Sequence, residues 1–203
     1  MPLLNLKREY NHLYNAPKKD IGIVDVPPFN YLMVDGAGDP DTSTHFQDAV
    51  EALYGVSFTL KFMVKKENPD NDYVVMPLEG LWWMAGEEGF DPNKREAWQW
   101  ALMIVQPSLI TADLVNEAVA RIRPRKEQPA LDKVRFESFY EGLSVQIMHI
   151  GPYSEEALTI ARMFDFLHLR GYRPRGKHHE IYLSDPRRTA PDRLKTIIRH
   201  PVA

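Results

Sequence analysis

The sequence predicts an α+β fold of two pseudo-symmetric strand-helix-strand-strand modules, whose antiparallel sheets form a central ligand groove. Three observations lead there. Strand-like and helix-like apolar periodicities follow one another in the same order twice along the 203 residues. A polar stretch marked by two prolines, PRKEQPALD (124–132), separates the two runs. Short matches bracket the corresponding elements, LMVDG (32–36) with IMHIG (147–151) and IVQP (104–107) with IRHP (198–201).

The elements follow in order. YLMVDG (31–36) is apolar and β-branched, as a strand requires, and GDPDTST supplies turn residues and then a helix cap. From Thr42 or Ser43, Phe46, Val50, Leu53, Leu60 and Val64 fall on one helical face. Tyr54, Phe58 and Phe62 make a second stripe, which predicts burial on more than one side. The helix stops at KKENPDND, after which DYVVMP and GLWWM read as extended segments about Leu78-Glu79-Gly80, and WQWALMIVQP reads as a strand.

Leu114, Val115, Ala118, Val119 and Ile122 give a linking helix over about 111–124. VRFESFY and LSVQIMHIG then read as two extended runs around a Glu141-Gly142 turn. A helix from Ser154 carries Ile160, Met163, Phe164 and Leu167 on one stripe and stops at Gly171. HEIYLSDP and LKTIIRHPV close the chain as strands, joined by the turn-rich PRRTAPDR. We therefore expect a single domain over 1–203, with one module over about 20–107 and the other over about 133–203.

Composition narrows the function. With 44% hydrophobic residues the chain can build a core, and its formal charge of -3 offers no global positive field for a nucleic acid backbone. The absence of cysteine rules out disulfides, a thiolate nucleophile and cysteine-held zinc or iron-sulfur sites. The start MPLLNLKREYNHLYNAPKKD has no apolar run long enough for a signal peptide, and no later stretch is long enough to span a membrane. These features predict a soluble cytoplasmic protein with no membrane partner.

Chemistry concentrates in two places. All four tryptophans fall between Trp82 and Trp100, either as a core layer or as the walls of an aromatic cavity. HHEIYLSDP (178–186) sets two histidines beside a glutamate, but alternation along a strand points His178, Glu180, Tyr182 and Ser184 to one face and His179, Ile181 and Leu183 to the other. The second set reads as the buried face. No metal is expected, because at most two candidate ligands share a side and a zinc site takes three or four.

Glu180 is either a solvated carboxylate or, on the floor of an aromatic cavity, a general base or the partner of a cationic ligand. Glu79, in PLEGLWW, is a second groove carboxylate or, as we favour, part of a tight Glu-Gly turn. There is no G-x-S-x-G pattern for a serine hydrolase, and DGAGDP follows its glycines with acids that repel phosphate. The basic stretches RIRPRK and DPRRTAPDRLK lack the interleaved aromatics of a nucleic-acid grip.

Together KHHEIYLSDP, HIGPYSE, PLEGLWW and WQWALMIVQP, in this two-module layout, resemble the GyrI-like small-molecule-binding proteins over about 7–202, and more narrowly their stand-alone branch. The family includes drug-binding domains of multidrug-responsive regulators and a gyrase-inhibitory protein. The resemblance implies a pocket whose central glutamate, here Glu180, meets a small cationic or polarised aromatic ligand. It carries over Trp82, Trp83 and Trp100 as aromatic contacts, and Tyr140, Tyr153 and Tyr182 as candidate hydroxyl donors, with Tyr140 a catalytic candidate beside Glu180. His178 and Glu79 complete the candidate ligand-binding set.

Some stand-alone members are cyclopropanoid cyclopropyl hydrolases, which open the strained ring of yatakemycin-type DNA alkylators with water, a detoxifying reaction that implies no cofactor. The alternatives are a non-catalytic drug-sequestering module and a gyrase-interacting or other partner-binding protein. The chain has no DNA-binding module ahead of its short leader, so no direct nucleic-acid contact is expected.

Overall fold

The structure, a computed structural model, describes residues 3–86, 91, 94–125 and 127–203. Part of the tryptophan-rich stretch, 87–90 and 92–93, and Lys126 of the basic RIRPRK lie outside the described residues. Short helices α1 (Leu6–Glu9) and α2 (Asn11–Tyr14) precede strands β1 (Gly22–Val26) and β2 (Phe29–Ala37). Helix α3 (Thr44–Glu67), strands β3 (Glu79–Met84) and β4 (Trp98–Gln106) and helix α4 (Ala112–Ile122) follow. Strands β5 (Arg135–Phe139) and β6 (Gly142–Ile150), helix α5 (Glu156–Arg170) and strands β7 (His178–Tyr182) and β8 (Lys195–Pro201) complete the chain.

All eight strands form one antiparallel sheet in the order β1-β6-β8-β7-β3-β4-β2-β5. The two strand-helix-strand-strand runs, β2-α3-β3-β4 and β6-α5-β7-β8, meet where β3 pairs with β7. Only Pro27 and Pro28 separate β1 from β2, yet these strands lie near opposite ends of the sheet. Such a link spans roughly 10 Å, so the sheet has to curl until its ends approach, as a half-barrel.

The same constraint acts on β5 and β6, which are joined by Tyr140 and Glu141 alone. The two extended runs expected around Glu141-Gly142 are there, but they do not pair with each other. β5 pairs with β2 and β6 pairs with β1 and β8, so the link carries the chain across the half-barrel and Glu141 is buried at the crossing.

Helix α3 begins where the cap is expected, with Ser43 Oγ accepting from the Phe46 N–H, and ends at Asn68 before Pro69. Its inner face buries Ala49, Ala52, Leu53, Val56, Leu60 and Met63. The second stripe does not behave as expected. Phe58 and Phe62 are exposed, because the sheet and α4 cover only one side of the helix.

Helix α5 follows a single 3-10 turn at Tyr153–Glu155 and stops at Gly171, whose φ of +74° suits a residue without Cβ. Its Ile160, Met163 and Leu167 pack on Val145, Ile147 and Ile198. DYVVMP does not form a strand. Its backbone instead binds the N-terminal segment, Val74 N–H donating to the Leu4 carbonyl and Leu4 N–H to that of Asp72.

Both long helices cover the same face of the sheet. Phe46 of α3 lies against Trp82 and Trp100, and Glu156 of α5 lies beside Glu180. The opposite, inner face receives the N-terminal segment, since Arg199 and Gln146 hydrogen-bond to the Leu13 and His12 carbonyls. No helix among the described residues is long and apolar enough to cross a membrane.

Candidate functional site

Register decides which candidate residues meet. Gly80 pairs with Glu180, Trp82 with both His178 and Trp100, and Gly36 with Trp100, so these side chains belong to the face that carries α3 and α5. Glu79 and Trp83, one residue to either side of that set, point to the inner face.

Glu180 is 8% exposed, and its carboxylate is held at both oxygens. Tyr182 donates its hydroxyl to Oε2 at 2.7 Å, and His178 Nε2 lies 3.1 Å from Oε1. Trp82 Nε1 in turn donates to the Tyr182 oxygen at 3.2 Å. Gly80 makes this possible. A Cβ there would stand 2.8 Å from Trp82 Nε1 and 3.2 Å from the Tyr182 oxygen, so the two rings meet over the bare backbone beside Glu180.

Tyr153 completes the aromatic wall. Its ring packs edge-on against Tyr182 with centroids 5.8 Å apart, and Trp98 does the same against Trp82 at 5.2 Å. Trp100 is fully buried beneath Phe46, over Gly36, and so belongs to the core under the wall rather than to the wall itself. Of the two readings of the tryptophan cluster, Trp100 fits the core layer, while Trp82 and Trp98 stand at the Glu180 site.

Sequence reasoning missed Glu156. It enters from the first turn of α5, is buried, and sits beside Glu180 and Thr196. Burial, and then the charge of Glu180, push its carboxyl well above the usual range, which favours its protonated form. Burial and the Glu180 charge also raise the Tyr182 hydroxyl well above its ordinary value, keeping it a donor. Two buried carboxyl groups and a phenol thus converge, an arrangement able to give and take protons.

Two expectations change, one about β7 and one about Glu79. The His179 face is not the only buried one, because the helices cover the Glu180 face too: His178 is 1% exposed and His179 is 0%. Glu79 is not in a turn. It lies in β3 with 0% exposure, accepting from Tyr14 Oη at 3.1 Å and facing His179 Nε2 at 3.0 Å.

His179 Nδ1 lies 3.0 Å from Glu141, which also accepts from Arg199 Nη1 at 3.3 Å. Burial works against the His179 charge, but Glu141 and Glu79 outweigh it and lift the imidazole to about 9. Burial likewise works against the Glu141 charge, yet His179 and Arg199 bring that carboxyl down to about 2. This ionic network ties three strands and the N-terminal segment together behind the Glu180 site.

The remaining candidates lie on that inner side. Tyr140 is 62% exposed and lines a cavity of about 300 Å3 floored by Met33, Leu81 and Ala101. Trp83 carries Lys177 Nζ 3.3 Å above its ring. The sheet therefore separates Tyr140, Trp83 and Glu79 from Glu180. Among the described residues no group of three or more His, Asp or Glu is arranged to hold a metal ion.

Fold and site together define an α+β ligand-binding domain built around a buried carboxylate. The chain belongs to the GyrI-like family: the model of the GyrI-like small molecule binding domain matches residues 19–203. An uncharacterized conserved protein from Listeria innocua is 41% identical over 98% of this chain and 100% of its own, with a TM-score of 0.90. A Listeria innocua protein described as a hydrolase is 38% identical over 98% of this chain and 100% of its own, with a TM-score of 0.84. The EcmrR C-terminal domain, at 13% identity over 91% of this chain and 97% of its own and a TM-score of 0.56, shares the fold. No curated protein matches the chain.

Proposed function

We propose that this protein binds planar, aromatic or cationic drug-like molecules at Glu180 and hydrolyses those that carry a strained, conjugated cyclopropane. The observation that carries this reading is the Glu156–Glu180 carboxyl pair under an aromatic wall. The hydrolase description of the Listeria innocua relative supports the same class of reaction.

The ligand packs on the outside of the aromatic wall formed by Tyr153, Tyr182 and Trp98, with its cyclopropane methylene towards Glu180. Glu180 takes a proton from water as the water oxygen bonds to that methylene carbon. The ring carbon–carbon bond breaks, its electron pair passes through the conjugated dienone, and the carbonyl oxygen, at the far end of the ligand, becomes a phenol by taking a proton from solvent, while Tyr182 and Glu156 hold the Glu180 carboxylate in place. Glu180 then releases the proton it took to solvent, and the sum is addition of one water. Electrons are neither gained nor lost, and the reaction detoxifies an alkylator, which fits a role in drug resistance and a cytoplasmic setting.

Incubation of the protein with a yatakemycin-type cyclopropanoid in 18O-labelled water tests this. Chromatography with mass detection is expected to find a ring-opened product, one labelled water heavier, in excess over enzyme. Saturable binding with the ligand recovered intact would instead identify a sequestering module.

A further inference from the structure

We propose that the inner-face cavity is a second small-molecule site, specific for an organic anion, separate from the Glu180 site and opposite to it in charge. Its volume of about 300 Å3 lies at the lower end of the range for ligand pockets, roughly 300–1,000 Å3. Leu81, Ala101 and Phe139 offer an apolar body-binding surface, while Arg135, Arg175 and Lys177 stand around it.

The charges are not all spoken for. Arg135 pairs with two carboxylates, Asp35 at 2.8 Å and Glu137 at 3.0 Å, which leave one negative charge over. Glu141, which also borders the cavity, is neutralised by His179 and Arg199. Among the described residues Arg175, by contrast, donates only to the Val202 and Glu141 carbonyls, and Lys177 rests on the Trp83 ring. Neither has a carboxylate within ion-pair distance among the described residues, and their two charges exceed the one surplus carboxylate at Arg135, so the cavity keeps a net positive charge. Partial burial, with Arg135 nearby, lowers the Lys177 ammonium from its ordinary value, although Asp35 opposes this, and an incoming carboxylate would stabilise that charge.

The geometry suits a flat carboxylate: an apolar body against Leu81 and Ala101, and its oxygens towards Lys177 and Arg175. The Glu180 site, with Glu156 beside Glu180, disfavours the same ligand. The sheet lies between the two, since Leu81 and Trp82 are consecutive residues on opposite faces of β3.

The test is a fluorescence and calorimetric titration of the full chain with 2-naphthoate, with 2-naphthylmethylammonium as its cationic counterpart. Naphthoate is expected to bind one-to-one and to weaken as salt rises. Lys177→Met should weaken it by roughly tenfold or more, Lys177→Arg by less than about threefold, and Glu180→Gln by less than about twofold. Lys177 is half-buried and makes no side-chain hydrogen bond among the described residues, so both variants are expected to fold, with Lys177→Met shifting the melting curve only by the loss of its contact with the Trp83 ring. The proposal is overturned by an absence of saturable naphthoate binding, or by binding indifferent to Lys177→Met. Loss of binding in Glu180→Gln, or competition by the ammonium, would also overturn it by placing naphthoate at the other site.

Discussion

Neutralising His179 should remove a pH-dependent part of the stability. Its imidazole is fully buried between Glu79 at 3.0 Å and Glu141 at 3.0 Å, and is lifted from an ordinary 6.5 to about 9. A raised folded-state value means that the stabilisation is complete below about 6.5, where folded and unfolded chains both hold the proton, and is lost as pH rises through about 9. The displacement corresponds to on the order of 3 kcal/mol. For a chain of 203 residues that is a fall in Tm of roughly 6–12 °C.

Urea titrations at a series of pH values between 6 and 9.5 measure it, with His179→Gln as the reference. The wild type should lose stability across this window, whereas His179→Gln should be weaker at pH 6 and change much less. Two parallel curves would refute the argument, because they would show that the imidazole is not charged between its two carboxylates.

Other expectations concern the candidate site. Glu180→Gln should lower turnover of a cyclopropanoid by roughly 10²–10⁴-fold with ligand affinity largely kept; unchanged turnover would remove Glu180 as the base. Glu156→Gln should lower turnover and also abolish the alkaline limb of the pH–rate profile, which reports loss of the Glu156 proton. The same variant should raise Tm at pH 7, because Gln no longer has to be kept neutral beside Glu180, and calorimetry checks the sign. Gly36→Ala should cost roughly 1–3 kcal/mol in urea denaturation, since its Cβ would fall 2.1 Å from the Trp100 ring, and near-ultraviolet circular dichroism should show the tryptophan environment disturbed.

Much of this was legible in the sequence, for local reasons. Period-2 alternation by itself determined that His178, Glu180 and Tyr182 share one side of β7 and that His179 does not, because it follows from the pleat of any strand. Capping chemistry set the start of α3 at Ser43, and the missing Cβ of Gly171 set the end of α5. The E-I-Y strand with its D-P ending likewise carried the family.

What the tertiary structure alone decided is which distant groups meet. Glu-Gly reads as a turn at both 79–80 and 141–142, yet one pair lies within β3 and the other spans the crossing between β5 and β6. Glu156, in an ordinary acidic first turn, becomes half of a carboxyl pair only because α5 packs over β7 and β8. Trp82 and Trp83 part company for the same kind of reason, one going to the Glu180 site and the other to the cationic cavity's lysine. Local periodicity says how each side chain leaves its own backbone, but the curl that buries both faces of the sheet depends on pairings such as β1 with β6, across more than a hundred residues. No short stretch of sequence encodes those.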